Sequence, residues 1–548
     1  MKKAAYTALA VTTLLFSLSF TEPAERYFEI AKNLDIFATL FKEVNALYVD
    51  EVNPNQLVRT GIDAMLGSLD PYTNYIPEDE VEDYRTMNTG QYGGIGAVTR
   101  EINNRTVVTM IMEGYGAQKG GLKIGDEIIK IDNVELSRLT REQSSHMMKG
   151  QIGTPVSLTV KRPGTDAPVT LSFVREKIKL HNVPFFGLIA EDVGYVQLSD
   201  FTPDAGREVR NALVALKEKG AKNAILDLRG NPGGLLLEAV NISNLFIPKG
   251  KLVVSTKGKI PEHNLNYESL NVPLDVDMPV VVLINRGSAS ASEIVAGTLQ
   301  DYDRGVVIGE KSYGKGLVQV SRPLSYNSQL KVTTAKYYTP TGRCIQVLDY
   351  THRRDDGSVG SIPDSLKQQF KTPNGRVVFD GGGIDPDIKT KPMEAHPLTQ
   401  VLFEKGFIFD YASLYVSKRS EPVDSKTFSL SNEEYQQFVQ WMGGKNYEYK
   451  SLMEFQLEQF TEEAKKERYY QDIKSQLDQV ISRISDSKKN ELMLYKDQIK
   501  MLLEEEIVSR YHLERGRIEA RFKYDTDVME AIKVLHDPTR YRKILNYQ

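Results

Sequence analysis

Val280-Val-Val-Leu-Ile-Asn-Arg-Gly-Ser-Ala-Ser-Ala-Ser-Glu-Ile294 reads as an apolar run, a glycine turn and the start of a helix. Five consecutive apolar residues, Val280 to Ile284, predict a strand buried on both faces, because a half-exposed strand would alternate. The pattern also occurs upstream, where Ala224-Ile-Leu-Asp-Leu228 runs into Arg-Gly-Asn-Pro-Gly-Gly234. Repetition of strand then helix from about 190 to 390 predicts an α/β layered domain. Ser290 falls where strand gives way to a helix expected through Gln300. A hydroxyl there is near the free N–H groups of a first helical turn, which suit an oxyanion. Ser290-x-x-Glu293 also fits a capping box, a purely structural role.

Downstream come a strand (Val306-Val-Ile-Gly309) and Glu310-Lys-Ser-Tyr-Gly-Lys-Gly-Leu-Val-Gln319. A reactive serine needs a base, yet neither segment holds a histidine and no Gly-x-Ser-x-Gly elbow surrounds Ser290. A lysine can serve if an apolar site keeps its amine neutral. Lys315, between two glycines, leads into such a strand. If 315–319 is extended, Lys315 and Gln319 share a face, and Gln319 can orient the amine without adding charge. The plain alternative is a surface lysine in a turn.

Residues 90–178 have a different texture. Val107–Met112, Val156–Val160 and Val169–Val174 are short β-type runs between glycine turns, with one helical piece near 141–149. Tyr92-Gly-Gly-Ile-Gly96 opens this module, and successive glycines can aim consecutive N–H groups at a carboxylate.

The 548 residues, 41% hydrophobic and 26% charged, suit about three globular domains. Lys plus Arg number 69 against 73 Asp plus Glu, so no cationic surplus exists to grip nucleic acid. Cys344 is the only cysteine, which excludes an intramolecular disulfide and a multi-cysteine zinc site. The seven histidines are scattered and form no His-Glu-x-x-His, so no metal is expected. Cys344 and Trp441 are expected to be packing residues, as are Tyr447–Tyr449.

Lys2 and Lys3 precede an uncharged run from Ala4 to Phe20, which predicts an export signal over 1–20. Cleavage and retention as an anchor both fit, and no nearby cysteine offers a lipid attachment point. Two amphipathic helices are expected before Gly67. Beyond about 395 glycines nearly vanish; Ile473, Leu477, Val480, Ile481 and Ile484 mark one helical stripe, and Leu492, Tyr495, Ile499 and Leu502 another.

Gly121-Leu-Lys-Ile-Gly-Asp-Glu-Ile-Ile-Lys-Ile131, preceded by Tyr92–Gly96, resembles a PDZ domain. The resemblance implies that Tyr92, Gly93, Gly94, Ile95 and Gly96 bind a C-terminal carboxylate while the peptide adds as a strand. Gly287-Ser-Ala-Ser-Ala-Ser-Glu-Ile294 and Gly309–Gln319 resemble the carboxyl-terminal processing (tail-specific) serine proteases. So do Leu226–Leu235, Lys336-Tyr-Tyr-Thr-Pro-Thr-Gly-Arg343, Gly381–Ile388 and Leu69-Asp-Pro-Tyr-Thr73. The likeness covers about residues 30–390. It implies a Ser290 nucleophile, Lys315 as base (25 residues on, which selects it over Lys311) and an assisting Gln319. The implied oxyanion hole uses Ala291 and either Gly233 or Gly234, a choice left open. Arg-Gly-Asn-Pro-Gly-Gly departs from the commoner Arg-Asn-Asn-x-Gly-Gly.

The implied architecture is a multidomain α/β protein. An N-terminal helical segment (21–82) precedes an inserted PDZ domain (83–180). A layered crotonase/ClpP-like serine protease core (181–395) and a helical C-terminal domain (396–548) follow. The implied activity is that of an exported endopeptidase of the periplasm or cell envelope. It would act on proteins or peptides with an accessible C-terminus, with no cofactor and no nucleic acid. A membrane tether, a homo-oligomer and an adaptor protein stay open, as does gating of the site by the PDZ-bound tail. The rival readings are a non-proteolytic PDZ scaffold and a crotonase-like acyl hydrolase.

Overall fold

The two apolar runs are central strands of one sheet in the computed structural model, which describes residues 21–354, 357–391, 394–419 and 421–547. The expected signal at 1–20 lies outside the described residues. The chain divides into two units, one running to Pro77 with the addition of Ser321–Val332, the other Glu78–Val320 with Thr333 onward.

In the first unit, helices α1 (Thr21–Leu47) and α2 (Pro54–Gly67) are the two expected ones. Asn53 caps α2 by accepting the N–H groups of Asn55 and Gln56. In the connector, Asp70 Oδ1 accepts from the N–H of Tyr72 and of Thr73, each at 2.8 Å. The short strand Asn74–Ile76 then pairs with Gln329–Lys331.

The second unit begins with a small β domain: β1 (Gln91–Gly94), β2 (Ala97–Ile102), β3 (Arg105–Ile111), β4 (Glu127–Ile131), α3 (Arg141–Met148), β5 (Pro155–Lys161), β6 (Val169–Val174) and β7 (Glu176–Lys179). The sheet order is β2-β3-β4-β5-β6, and β1 pairs separately with β7. Alternation along β5 buries Val156, Leu158 and Val160.

Next come β8 (Phe185–Ala190), β9 (Val193–Gln197), α4 (Ala205–Glu218), β10 (Asn223–Asp227), α5 (Leu236–Ser243), β11 (Val280–Ile284), α6 (Ala291–Asp301), β12 (Val306–Gly309), the paired strands β13 (Leu317–Pro323) and β14 (Gln329–Tyr338), and β15 (Ile388–Lys389). A six-stranded sheet runs β8-β9-β10-β11-β12-β15, parallel except for β8. Its residues split between two faces. Val196, Leu226, Val282 and Ile284 pack with α4, α5 and α6. Val193, Tyr195, Ile225, Val281 and Leu283 face the other way.

Helices α7 (Pro397–Glu404), α8 (Phe407–Ser417), α9 (Asn432–Met442) and α10 (Lys496–Arg521) build a core around Leu402, Tyr411, Phe438, Ile499 and Leu503, with Trp441, Tyr447 and Tyr449 against it. Of the expected stripe on the helix Tyr470–Lys488, only Leu477 is buried; Val480 and Ile481 stay exposed. The final helices, α11 (Thr526–Leu535) and α12 (Pro538–Ile544), cover the second face of the sheet through Val528, Ala531, Val534 and Tyr541. A parallel sheet needs cover on both faces, and here the C-terminal extension supplies one of them.

Candidate active site

The nucleophile candidate occupies a strained elbow. Ser290 has φ 55° and ψ −113°, a conformation non-glycine residues rarely adopt and one that costs roughly 1–3 kcal/mol. Helix α6 starts at the next residue. The Ser290 N–H donates to Glu293 Oε2 at 2.8 Å, and Tyr337 Oη donates to the Ser290 carbonyl at 3.1 Å. The peptide groups on both sides of Ser290 are therefore held.

The Arg229–Gly234 turn lies directly against this elbow. The Asn231 carbonyl accepts from Ala289 N–H (3.0 Å) and Ser292 Oγ–H (2.9 Å). The buried Asn231 side chain turns inward, donating to the Leu198 carbonyl (2.7 Å) and accepting from Gly233 N–H (2.9 Å). A Cβ on Gly233 would sit 2.7 Å from the Ala289 carbonyl and 2.8 Å from the Ala291 nitrogen, so only glycine fits there. With the Gly233 N–H taken by Asn231, the Gly234 and Ala291 N–H groups are the ones for which no acceptor is found among the described residues.

Lys315 lies in the loop before β13, half-buried. Its N–H donates to Glu293 Oε2 at 2.9 Å, the oxygen that also holds Ser290. Glu293 Oε1 accepts from Ser312 Oγ–H (2.5 Å) and Gly314 N–H (2.7 Å). One fully buried carboxylate thus fastens the serine elbow to the lysine loop. Burial pushes its pKa up to about 7, against the pull of its hydrogen bonds. On the loop's other flank, Gly316 N–H donates to Gln346 Oε1 and the Gly316 carbonyl accepts from Tyr337 N–H.

The strand begins at Leu317, two residues after Lys315. Gln319 Nε2 donates to Thr333 Oγ1 on β14 at 3.1 Å. Lys311 points elsewhere and pairs with Asp385 at 3.3 Å. In the Lys336–Arg343 stretch, Arg343 is buried and pairs with Asp301 at the end of α6 (2.6 Å). Burial raises the pKa of the Cys344 thiol, which fits a packing residue.

In the small β domain, Tyr92, Gly93 and Gly94 are strand residues of β1; Ile95 and Gly96 form the link to β2. Gly93 passes so close to Gly150 that a Cβ would lie 2.0 Å from the Gly150 carbonyl. Among the described residues neither the Ile95 nor the Gly96 N–H finds an acceptor. Strand β2 is an edge, and a groove of about 460 Å³ lies beside it, lined by Thr99, Arg100, Leu136, Ser144 and Met148 among others.

Comparison with known proteins gives this geometry a family. Residues 192–351 match the model of peptidase family S41, 85–161 the PDZ domain, and 398–535 the "Probable PDZ-protease, C-terminal helical domain". A "Carboxy-terminal-processing protease" of Bartonella bacilliformis is 37% identical over 66% of this chain and 80% of its own length. The chain belongs to the carboxy-terminal-processing proteases. A "Probable CtpA-like serine protease" of Staphylococcus aureus is 33% identical over 69% of the chain and 75% of its own. A solved photosystem II D1 C-terminal processing protease is 25% identical, covering 65% of this chain and 92% of that one, with a TM-score of 0.35. The chain is thus a serine protease with a PDZ domain and a helical C-terminal domain.

For this carboxy-terminal-processing protease, the fold brings Ser290, Ala291, Gly233, Gly234 and the Lys315 backbone into one neighbourhood. Tyr92–Gly96 stand apart in the PDZ domain. Three contributors were not singled out from the sequence. Glu293 carried a visible signal, the capping box, but one that hides its second use. Asn231 and Tyr337 lay inside quoted motifs with nothing local to separate them from their neighbours.

Proposed function

We propose that the protein is an exported serine endopeptidase that takes protein C-termini in its PDZ domain and cleaves them with a Ser290–Lys315 dyad. The domains carrying this reading are those expected at 83–180, 181–395 and 396–548, with the core layered in the crotonase/ClpP manner. The observation that supports it most is the strained Ser290 elbow, tied through Glu293 to Lys315 and flanked by two uncommitted N–H groups. The neutral Lys315 amine takes the Ser290 proton as Oγ attacks the scissile carbonyl. The oxyanion rests on the N–H groups of Gly234 and Ala291, the Gly233 N–H being spent on Asn231. Lys315 then protonates the leaving amine, and water releases the acyl group. Gln319, on β13 and hydrogen-bonded to Thr333, is the residue assigned to assist Lys315. No step calls on a metal or organic cofactor.

Tail capture is assigned to the free edge of β2, with the Tyr92–Gly96 loop that precedes it holding the carboxylate. Export rests on the Lys2-Lys3 and Ala4–Phe20 pattern; among the described residues no helix is long and apolar enough to cross a membrane. The test is a loosely folded reporter with an apolar tail, incubated with wild type and with Ser290→Ala and read by mass spectrometry. Fragments only with wild type are expected. Fragments in both would remove Ser290 as nucleophile, and an intact reporter in both would favour a non-proteolytic PDZ scaffold.

A further inference from the structure

The Arg229–Gly234 turn is anchored at its other end by a part of the chain that no step above uses. The Arg229 guanidinium meets three carboxylates. Nε lies 3.0 Å from Asp227 Oδ1, Nη1 is 2.9 Å from Asp525 and 3.0 Å from Asp527, and Nη2 is 2.6 Å from Asp227 and 2.7 Å from Asp525. Asp227 is the last residue of β10 and is nearly fully buried; Tyr195 Oη donates to it at 2.6 Å, and the Arg229 N–H at 2.9 Å. Asp525 and Asp527 belong to the start of α11, in the C-terminal extension. Asp525 also caps that helix, accepting from Asp527 N–H and Val528 N–H. Gly230 N–H, next along, donates to Asn285 Oδ1 at 2.8 Å, so the turn cannot swing freely from its anchor.

We propose that Arg229 is a positioning residue through which the C-terminal helical extension sets the register of the oxyanion turn against Ser290. The inference rests on the oxyanion role given to Gly234. The guanidinium fork is planar and rigid, so holding three carboxylates fixes where the Arg229 backbone lies. Four residues separate it from Gly234, and Asn231 among them carries the hydrogen bonds to Ala289, Ser292 and Gly233. A small displacement at Arg229 therefore reaches the two N–H groups that receive the oxyanion. Burial opposes charge on Asp525, yet its bonds to Arg229 hold its carboxyl below the usual range, as expected of a committed ion pair.

The discriminating variant is Asp525→Asn. Asparagine caps a helix as well as aspartate does, so α11 keeps its start while the negative charge that Asp525 presents to Arg229 is lost. Full-length wild type, Asp525→Asn, Asp525→Asn/Asp527→Asn and Ser290→Ala are compared on the tailed reporter. A peptide boronate, whose tetrahedral adduct needs the oxyanion site, is titrated in parallel. Removing one oxyanion donor outright costs on the order of 10²–10³ in kcat, so a displaced turn is expected to lose about tenfold or more. Boronate affinity is expected to fall in step, with KM and PDZ-peptide affinity unchanged; the unfolding midpoint drops because a buried ion pair is broken, and rates are read well below it. Asp525→Asn within twofold of wild type in kcat and boronate affinity overturns the inference alone. So does a loss in which KM and peptide affinity deteriorate together with kcat. Equal cleavage by wild type and Ser290→Ala overturns the Ser290 reading and this inference with it.

Discussion

Glu293→Gln is the most informative single change to the catalytic neighbourhood. The wild-type carboxylate takes four donors: Ser290 N–H and Lys315 N–H on one oxygen, Ser312 O–H and Gly314 N–H on the other. Glutamine has one acceptor oxygen and places an NH2 where the second was. With the oxygen kept on Ser290 and Lys315, the Ser312 hydroxyl can rotate to accept, but the Gly314 N–H is orphaned at a cost of roughly 1–3 kcal/mol. The opposite orientation orphans two backbone donors, so the first is preferred. The charge effect has a definite sign. The Glu293 pKa rises from 4.5 to about 7 on folding. Its contribution is fully present below 4.5 and is lost as pH rises through 7, about 3 kcal/mol in all. Glutamine does not titrate. In a Ser290→Ala background, which removes self-digestion, the stability of wild type minus that of E293Q is therefore expected to fall by about 3 kcal/mol between pH 4.5 and 7.5 by denaturant titration. With Ser290 intact, E293Q is expected to cut the reporter at least tenfold more slowly, because the amide loses its hold on Gly314 N–H and the lysine loop shifts against the serine elbow. A wild-type-minus-E293Q difference that stays flat with pH, or activity within twofold of wild type, refutes the reasoning.

Three further outcomes are expected. Lys315→Ala abolishes cleavage, whereas Lys311→Ala, which breaks only a part-exposed pair with Asp385, changes stability by at most about 1 kcal/mol and leaves the rate near wild type; a steady-state assay separates them, and a dead Lys311→Ala would move the base. Gly93→Ala forces the PDZ loop away from Gly150 and lowers affinity for a tailed peptide about tenfold or more by fluorescence anisotropy; unchanged binding would place the carboxylate elsewhere. Arg343→Met strands the buried Asp301 carboxylate and costs about 3–5 kcal/mol, visible as a lower denaturant midpoint. An unmoved midpoint would mean that Asp301 finds enough compensation in Thr341.

The strand-to-helix elbow was legible because burial on both faces leaves an unbroken apolar run, and because Ser290 falls where that run has ended and Glu293 follows at capping distance. The lysine loop was legible through its glycines and its family spacing. The Gln319 contact was not, since the expectation assumed an extended chain from 315 while the strand starts at Leu317. The proposed choice of Gly234 over Gly233 rests on the Asn231 side chain, whose inward turn no local pattern records. Arg229 with Asp525 was out of reach for a different reason. Helical periodicity in α11 says that a face is buried, but nothing in it says that the face lies on strands made some 300 positions earlier. In the PDZ domain the glycine-rich run at 93–96 is visible in the sequence, yet only coordinates show that Gly93 is demanded by Gly150.

The cover on the second face of the catalytic sheet carries a consequence for the order in which the enzyme is made. A chain that emerges N-terminus first completes all six strands, the serine, the lysine and both glycines before Val528, Val534 and Tyr541 exist. Until those residues dock, the face formed by Tyr195, Ile225, Val281 and Leu283 lacks its apolar cover, and Arg229 has one carboxylate partner instead of three. The nascent or prematurely ended polypeptide thus holds Ser290 and Lys315 beside a sheet with one bare face and a turn short of two anchors. If Arg229 acts as proposed, synthesis of the extension is the step that completes the site.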